Sequence, residues 1–562
     1  MFRTAIFALC LTGVALPGAA EPDAGAYLAG RSAQLADDFS AAERYLSEAL
    51  TRDGDNAQLM EALVGAQMTL MEFDRAATVA DRLVETGSNS QIAALALLAE
   101  HARNEDWQGL IDALDEGLSV GPLFDDLARG WSLVGLDRQE EALAAFDSVT
   151  EQQGVEAFGI YHKALALASL ERFEEAAELL EQNEDIRLTR RGLKAEAQIL
   201  SQIGRAEDAR ALLQEETGAN LDVTLADTFN TLADGDPVEF TVAPDAKAGM
   251  AEVAFDIANT VVGETAPSYT VLYSRVAELL RPDHIEATLL SALLFEQMEQ
   301  YGLAISTYGN VPAEDPAFVT AELGRAEALR AEGQLEQGVD VMEALAEDYA
   351  DQALVHITLG DALREDGRYE DARAAYDRAV SMFDSEQPGQ WIVYFARGIT
   401  AERLDDWDAT KENFEMALEL NPDQPQVLNY LGYSMLERGD DLETALGMIE
   451  RAVAAAPQSG AIVDSLGWGL YRAGRYEEAV EHMERAVELM PVDPVVNDHL
   501  GDVLWAVGRE LEARFQWQRA LSFVDDTTED VDPERIRRKI EVGLDQVLEE
   551  DGEPPLKMAN GG

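Results

Sequence analysis

Small and apolar positions recur along the last third of the chain with a spacing of 34 residues. The stretches YLGYSMLERG, SLGWGLYRAG and HLGDVLWAVG align when Gly432, Gly467 and Gly501 are placed in register. Each glycine is followed by a small residue (Ala445, Ala479, Ala513), a large apolar one (Ile449, Met483, Trp517) and a second alanine (Ala452, Ala486, Ala520). Pro422, Pro457 and Pro491 close successive units, and one residue is inserted at Asp440 or Asp441. Such a pattern predicts paired helices, with small side chains at the crossing that let the two axes approach and a proline fixing the turn into the next helix.

The pattern resembles the tetratricopeptide repeat, a helix-turn-helix unit with a small residue at position 8, alanines at 20 and 27 and proline at 32. The resemblance implies an all-α fold, a right-handed superhelical solenoid, with positions 8 and 20 facing each other at the crossing. About fourteen units follow from this register: 23–56, 57–90, 91–122, 123–156, 157–189, 190–223, 251–284, 285–318, 319–352, 353–386, 391–424, 425–459, 460–493 and 494–527. Leu110, Thr270, Gly338 and Thr410 stand at the alanine-20 position of weaker units.

Interruptions divide the chain. Repeat arrays are expected at 21–223, 251–386 and 391–527, separated by residues 224–250 and by a short linker at 387–390. Gly235, Pro237 and Pro244 surround an alternating VEFTV, which predicts an irregular loop with a short strand. Asp532 and Pro533 start a capping helix within 528–550, and a disordered tail is expected at 551–562. At the other end, Arg3, the apolar run Ala5–Leu16 and the small residues Gly18 and Ala20 predict a signal peptide over 1–20. Cys10, the sole cysteine, follows Leu9 rather than a small residue, so no lipid anchor is expected. The expected location is the periplasm, without a membrane tether or an integral membrane segment in the mature chain.

Charge narrows the partners further. There are 42 Lys and Arg against 108 Asp and Glu, a formal net charge of −66, which disfavours nucleic acid and anionic lipid. Chemistry-bearing patterns are absent. Gly467 and Gly469 lack the third glycine and preceding strand of a nucleotide loop, and His482 has no ligand spacing around it. The Gly432–Ser434 stretch is no nucleophile elbow, and the acidic runs at 53–56 and 525–532 lack the spacing of a calcium loop. No catalytic residue, cofactor or metal is therefore expected, and the chain is expected not to be an enzyme.

What remains is recognition. In repeats of this family the concave face is built from the first helix of each unit, and the matching positions here are Tyr433, Asp464, Trp468, Tyr471, Arg472, Asp498, Asp502 and Trp505, with Leu436, Phe395 and Asn429 nearby. Aromatic rings beside carboxylates suit a peptide with apolar and basic side chains. Packing between helices is the competing account of the same rings. Aspartates stand where the family's carboxylate clamp has Lys, Arg and Asn, which argues against binding of an acidic chain terminus.

The stretches YLAGRSAQLADDFSAAERYL, VLNYLGYSMLERGDDLETALGMIERAV and IVDSLGWGLYRAGRYEEAVEHMERAVELM are also similar to exported tetratricopeptide proteins of Gram-negative bacteria. That group includes a lipoprotein adaptor that activates a periplasmic carboxy-terminal processing protease and brings cell-wall hydrolases to it. The resemblance implies protein or peptide ligands, among them such a protease and such hydrolases. The absent lipid-anchor motif departs from that relative. A scaffold for polysaccharide export or outer-membrane assembly is the alternative.

Overall fold

A computed structural model describes residues 22–183, 186, 189–217, 223–233, 237–383, 385, 387–525 and 531–556. The expected signal peptide and residues 557–562 of the expected tail lie outside them. Among the described residues the chain is all-α, with 31 α-helices and no strand, and they form two compact bodies, divided between residues 341 and 342.

The first body contains α1 (Pro22–Leu35), α2 (Phe39–Leu50), α3 (Ala57–Thr69), α4 (Phe73–Glu85), α5 (Gln91–Arg103), α6 (Trp107–Asp115), α7 (Pro122–Gly135), α8 (Gln139–Thr150), α9 (Glu156–Ser169), α10 (Phe173–Glu181), α11 (Arg190–Gln202) and α12 (Ala206–Thr217). It continues through α13 (Val223–Ala233), α14 (Ala246–Val261), α15 (Pro267–Leu280), α16 (Ile285–Gln297), α17 (Tyr301–Tyr308) and α18 (Phe318–Ala331), and the division falls within α19 (Leu335–Asp348). The second body contains α20 (Ala353–Glu365), α21 (Tyr369–Val380), α22 (Trp391–Arg403), α23 (Trp407–Leu420), α24 (Pro425–Arg438), α25 (Leu442–Ala455), α26 (Gly460–Arg472), α27 (Tyr476–Leu489), α28 (Pro494–Ala506), α29 (Glu510–Phe523), α30 (Pro533–Val542) and α31 (Leu544–Asp551).

Two local devices build each pair. Short helices leave unpaired amides at their N-termini, and here Asp38, Asn56, Ser90, Asp106, Asp406, Asp441 and Asp493 accept hydrogen bonds from them. In thirteen pairs the turn between the helices holds a left-handed residue at position 15 of the unit: Asp37, Met71, Glu105, Asp137, Glu171, Glu299, Asp405 and six glycines, Gly204, Gly333, Gly367, Gly439, Gly474 and Gly508. Position 8 meets the expectation only in part. Its glycine chiefly makes room for the large side chain near position 24, and at Gly432 also for the expected close approach of the small residue, where a Cβ would lie 2.8 Å from Ile449 and 2.9 Å from the Ala445 carbonyl. A Cβ on Gly467 would lie 2.4 Å from Met483 Sδ, and one on Gly501 would lie 2.3 Å from Trp517 Nε1. Gly130 and Gly398 make the same accommodation for Phe146 and Phe414.

Residues 224–250 differ from the predicted loop. Most of the first part is helical, because Leu225 and Leu232 are spaced to bury one face of α13. Residues 237–245 are irregular but form no strand, since side chains of α11 take their backbone groups: Val238 N donates to Ser201 Oγ (2.8 Å), and Thr241 N donates to Gln198 Oε1 (2.9 Å). The helix expected from 251 begins at 246, where Asp245 caps Ala248 N.

The hairpin α14–α15 lies against α3, α5, α7 and α9 inside the first body and is buried on nearly every side. Gly249 sits so close to Trp131 that a Cβ would lie 2.2 Å from the indole. Trp131 Nε1 donates to His162 Nδ1 (3.1 Å), and His162 Nε2 lies 3.4 Å from Asp256 on α14. Arg191 holds Glu252 through Nη2 (2.6 Å) and Glu286 through Nη1 (2.8 Å). Burial raises the Glu252 carboxyl, but Arg191 and His284 outweigh it and hold the group well below the carboxylate range. Arg275 on α15 donates to the Thr69 carbonyl (3.2 Å) and pairs with Glu278 (2.7 Å).

At the other end, α30 and α31 replace the single expected capping helix. Gly543, with φ of +88°, breaks the chain between them. Residues 551–556 of the expected tail are described, and Arg535 pairs with Asp551 (2.9 Å) and Glu553 (3.1 Å).

Candidate functional site

The predicted groove residues lie on α24, α26 and α28 of the second body, but they divide into two sets. Asp498, Asp502 and Trp505 are covered by the chain itself. Lys539 of α30 is fully buried, with Nζ at 2.9 Å from Asp498 and 2.8 Å from Asp502. Burial disfavours its charge, yet the two carboxylates hold its pKa above the usual lysine value. Trp517 Nε1 donates to the same Asp502 (2.9 Å). Trp505 donates to Asp545 of α31 (2.9 Å), and its ring packs on Gly543, where a Cβ would lie 2.3 Å away. These three residues are therefore the seat of the C-terminal hairpin, which corrects their assignment to an open groove. Ile536, Leu544 and Leu548 complete the apolar contact.

Trp468 is also committed. Its ring stacks on Tyr471 (centroids 4.8 Å apart, 17° between planes) and on His499 (4.1 Å, 13°). His499 Nδ1 is 3.0 Å from Asp464, which is itself buried. Burial lowers the histidine pKa, but Asp464 more than compensates and raises it above 6.5. Tyr471 is buried as well, and burial pushes its hydroxyl pKa up. Asp464, Trp468 and Tyr471 thus form a stacked, hydrogen-bonded unit, and stacking within the fold replaces the expected free platform. Only the indole edge remains for contact, with Nε1 donating to Glu437 (3.2 Å).

Glu437 also receives Arg472 (3.2 Å), and both side chains are about two-fifths exposed. Tyr433 is half-buried one unit earlier, beside Asn429, whose Oδ1 has no hydrogen-bond partner among the described residues. Phe395 meets Tyr430 edge to face (5.3 Å), and Tyr430 is 41% exposed. The accessible surface is therefore Tyr430, Tyr433, Glu437, Arg472 and the edge of Trp468. Sequence reading missed His499, Glu437, Lys539 and Asp545. A pattern of groove positions on one helix cannot show which later helix will return to cover them. Among the described residues no group of three or more His, Cys, Asp or Glu is placed to hold a metal ion, and no helix is long and apolar enough to cross a membrane.

Tetratricopeptide repeat patterns match residues 27–91, 323–390, 357–409, 395–460 and 464–491. These segments of the chain are tetratricopeptide repeats. Over 188 residues it is 26% identical to a TPR repeat-containing protein of Pseudomonas aeruginosa, a match that spans 33% of this chain and 31% of that one. Among solved structures, a chain of the APC/C hetero-tetramer Cut9–Hcn1 aligns over 93% of this repeat protein and 96% of its own length, at 13% identity and a TM-score of 0.39. YrrB, described as a TPR protein with an unusual peptide-binding site, aligns over 33% of this chain and 93% of its own at 20% identity and a TM-score of 0.27. MamA aligns over 30% and 94% at 17% identity, with a TM-score of 0.27. Tetratricopeptide repeat proteins bind protein or peptide partners, and this one has the build of an interaction scaffold.

Proposed function

We propose that this repeat protein is a non-enzymatic adaptor of the bacterial periplasm, which brings a cell-envelope protease or hydrolase together with its protein substrates. The observation that carries the reading is the face of α24 and α26, where Tyr433, Glu437 and Arg472 remain accessible beside a Trp468 ring that is stacked into the repeats. Rigid helices hold these groups, so a partner finds aromatic area and both signs of charge at little ordering cost. The apolar leader in the sequence supports export, and the envelope partners follow from the resemblance described above.

The test is a pull-down from periplasmic extract with the mature chain and with the double variant Tyr433→Asp, Arg472→Glu. The expected result is recovery of a carboxy-terminal processing protease or a cell-wall hydrolase by the wild type, and its loss with the variant at unchanged helicity and Tm. Equal recovery by both chains would overturn the assigned face. Recovery of unrelated proteins alone would overturn the adaptor reading.

A further inference from the structure

The first body has a gap beside α15 of its inserted hairpin. Between α1, α3 and α5 on one side and α15 on the other lies a cavity of about 420 Å³, in the range of ligand sites. Its floor contains Gly65, in the middle of α3, where a Cβ would meet only Ile92 Cγ2 at 4.0 Å. Neither an entrance to a helix pair nor a crossing requires a glycine there, and its effect is to leave the cavity open.

The walls have a definite chemistry. Glu61 accepts from Ser90 Oγ (2.6 Å) with one oxygen and keeps the other. The Asp37 carboxylate, half-buried at the same cavity, has no partner among the described residues. Arg31, the one cation in the lining, hydrogen-bonds Gln34. Tyr269 of α15 adds a half-buried ring, fixed by its hydroxyl contact with Tyr273 (3.0 Å) and by edge-to-face packing on the same residue. Two carboxylates beside an aromatic ring, with no room taken at Gly65, suit a planar cation that can pair and stack at once.

We propose that this cavity receives an arginine side chain from a partner protein, with the guanidinium between Glu61 and Asp37 and one face on Tyr269. The site rests on the reading of the chain as a protein-binding scaffold, but it is separate from the face of α24 and α26. Its wall is the chain's own hairpin, so the insertion of α14–α15 creates the pocket instead of merely filling a groove. The net charge of −66 draws basic partners toward it.

The probe is the peptide acetyl-Gly-Arg-Gly-amide, titrated into the full chain by calorimetry beside its citrulline counterpart, which keeps the shape and loses the charge. The arginine peptide is expected to bind at least tenfold more tightly than the citrulline peptide. Gly65→Leu fills the cavity without changing any charge, and should weaken binding at least tenfold while Tm stays the same or rises. Glu61→Gln should weaken it about fivefold, which keeps the test decisive if the leucine variant folds poorly. Equal binding of the two peptides, or wild-type affinity in both variants, would overturn the pocket. Envelope partners captured by a chain that fails these titrations would leave the scaffold reading standing and remove only this site.

Discussion

At the residue scale, the intra-pair turn is the feature that recurs most faithfully. Thirteen units place a left-handed residue at position 15, yet only six of them use glycine there. A side chain in this conformation costs about 1–2 kcal/mol against a right-handed one. Glu105→Gly should therefore stabilise the chain by about 0.5–1 kcal/mol, and Gly474→Ala should destabilise it by about 1 kcal/mol, both read as shifts in the urea midpoint. The register of these units was legible in the sequence but the turn conformation was not: Asp, Glu and Met carry no glycine signal, although the backbone treats all thirteen positions alike. Gly249 gives a sharper case. Its Cβ would meet Trp131 at 2.2 Å, so Gly249→Ala should cost at least about 1–3 kcal/mol by overpacking, with the loss seen in the first body's melting transition.

At the scale of elements, the C-terminal hairpin shows what helix-face reasoning can and cannot see. The repeat helices were legible because the register of small and large residues is dictated by close packing, as Gly467 against Met483 demonstrates. The candidate groove was legible only as a set of positions on α24, α26 and α28. Whether Asp498 faces solvent depends on Lys539, which lies 41 residues later and on a helix outside the repeat pattern. Lys539→Met leaves two buried carboxylates without their cation, and about 3–5 kcal/mol of local stability should be lost. Hydrogen exchange should then report opening of α30 and α31 before α26 and α27. His499 supplies a pH signature for the same region. Its folded pKa lies above the 6.5 of the free side chain, so the Asp464 pair contributes fully below that value and is lost as pH rises through the folded pKa. Wild-type stability should accordingly fall on that ascent relative to His499→Phe, which keeps a ring on Trp468 but has no proton to lose.

At the scale of the whole molecule, charge and topology set the behaviour. A net charge of −66 makes self-repulsion a standing cost, so added salt should raise the midpoint of unfolding until screening is complete. Two compact bodies should give more than one calorimetric transition, with Gly249→Ala lowering one and Lys539→Met the other. The hairpin α14–α15 has a further effect on the first body. Ordinary repeat arrays fold and can be shortened unit by unit, because each repeat touches only its neighbours. Here Arg275 reaches the Thr69 carbonyl across 206 residues, so the early repeats are finished only when a much later part of the chain arrives. Synthesis stopped at residue 245 would leave an apolar surface waiting for its insert, and that fragment should aggregate where a simple solenoid of equal length would fold.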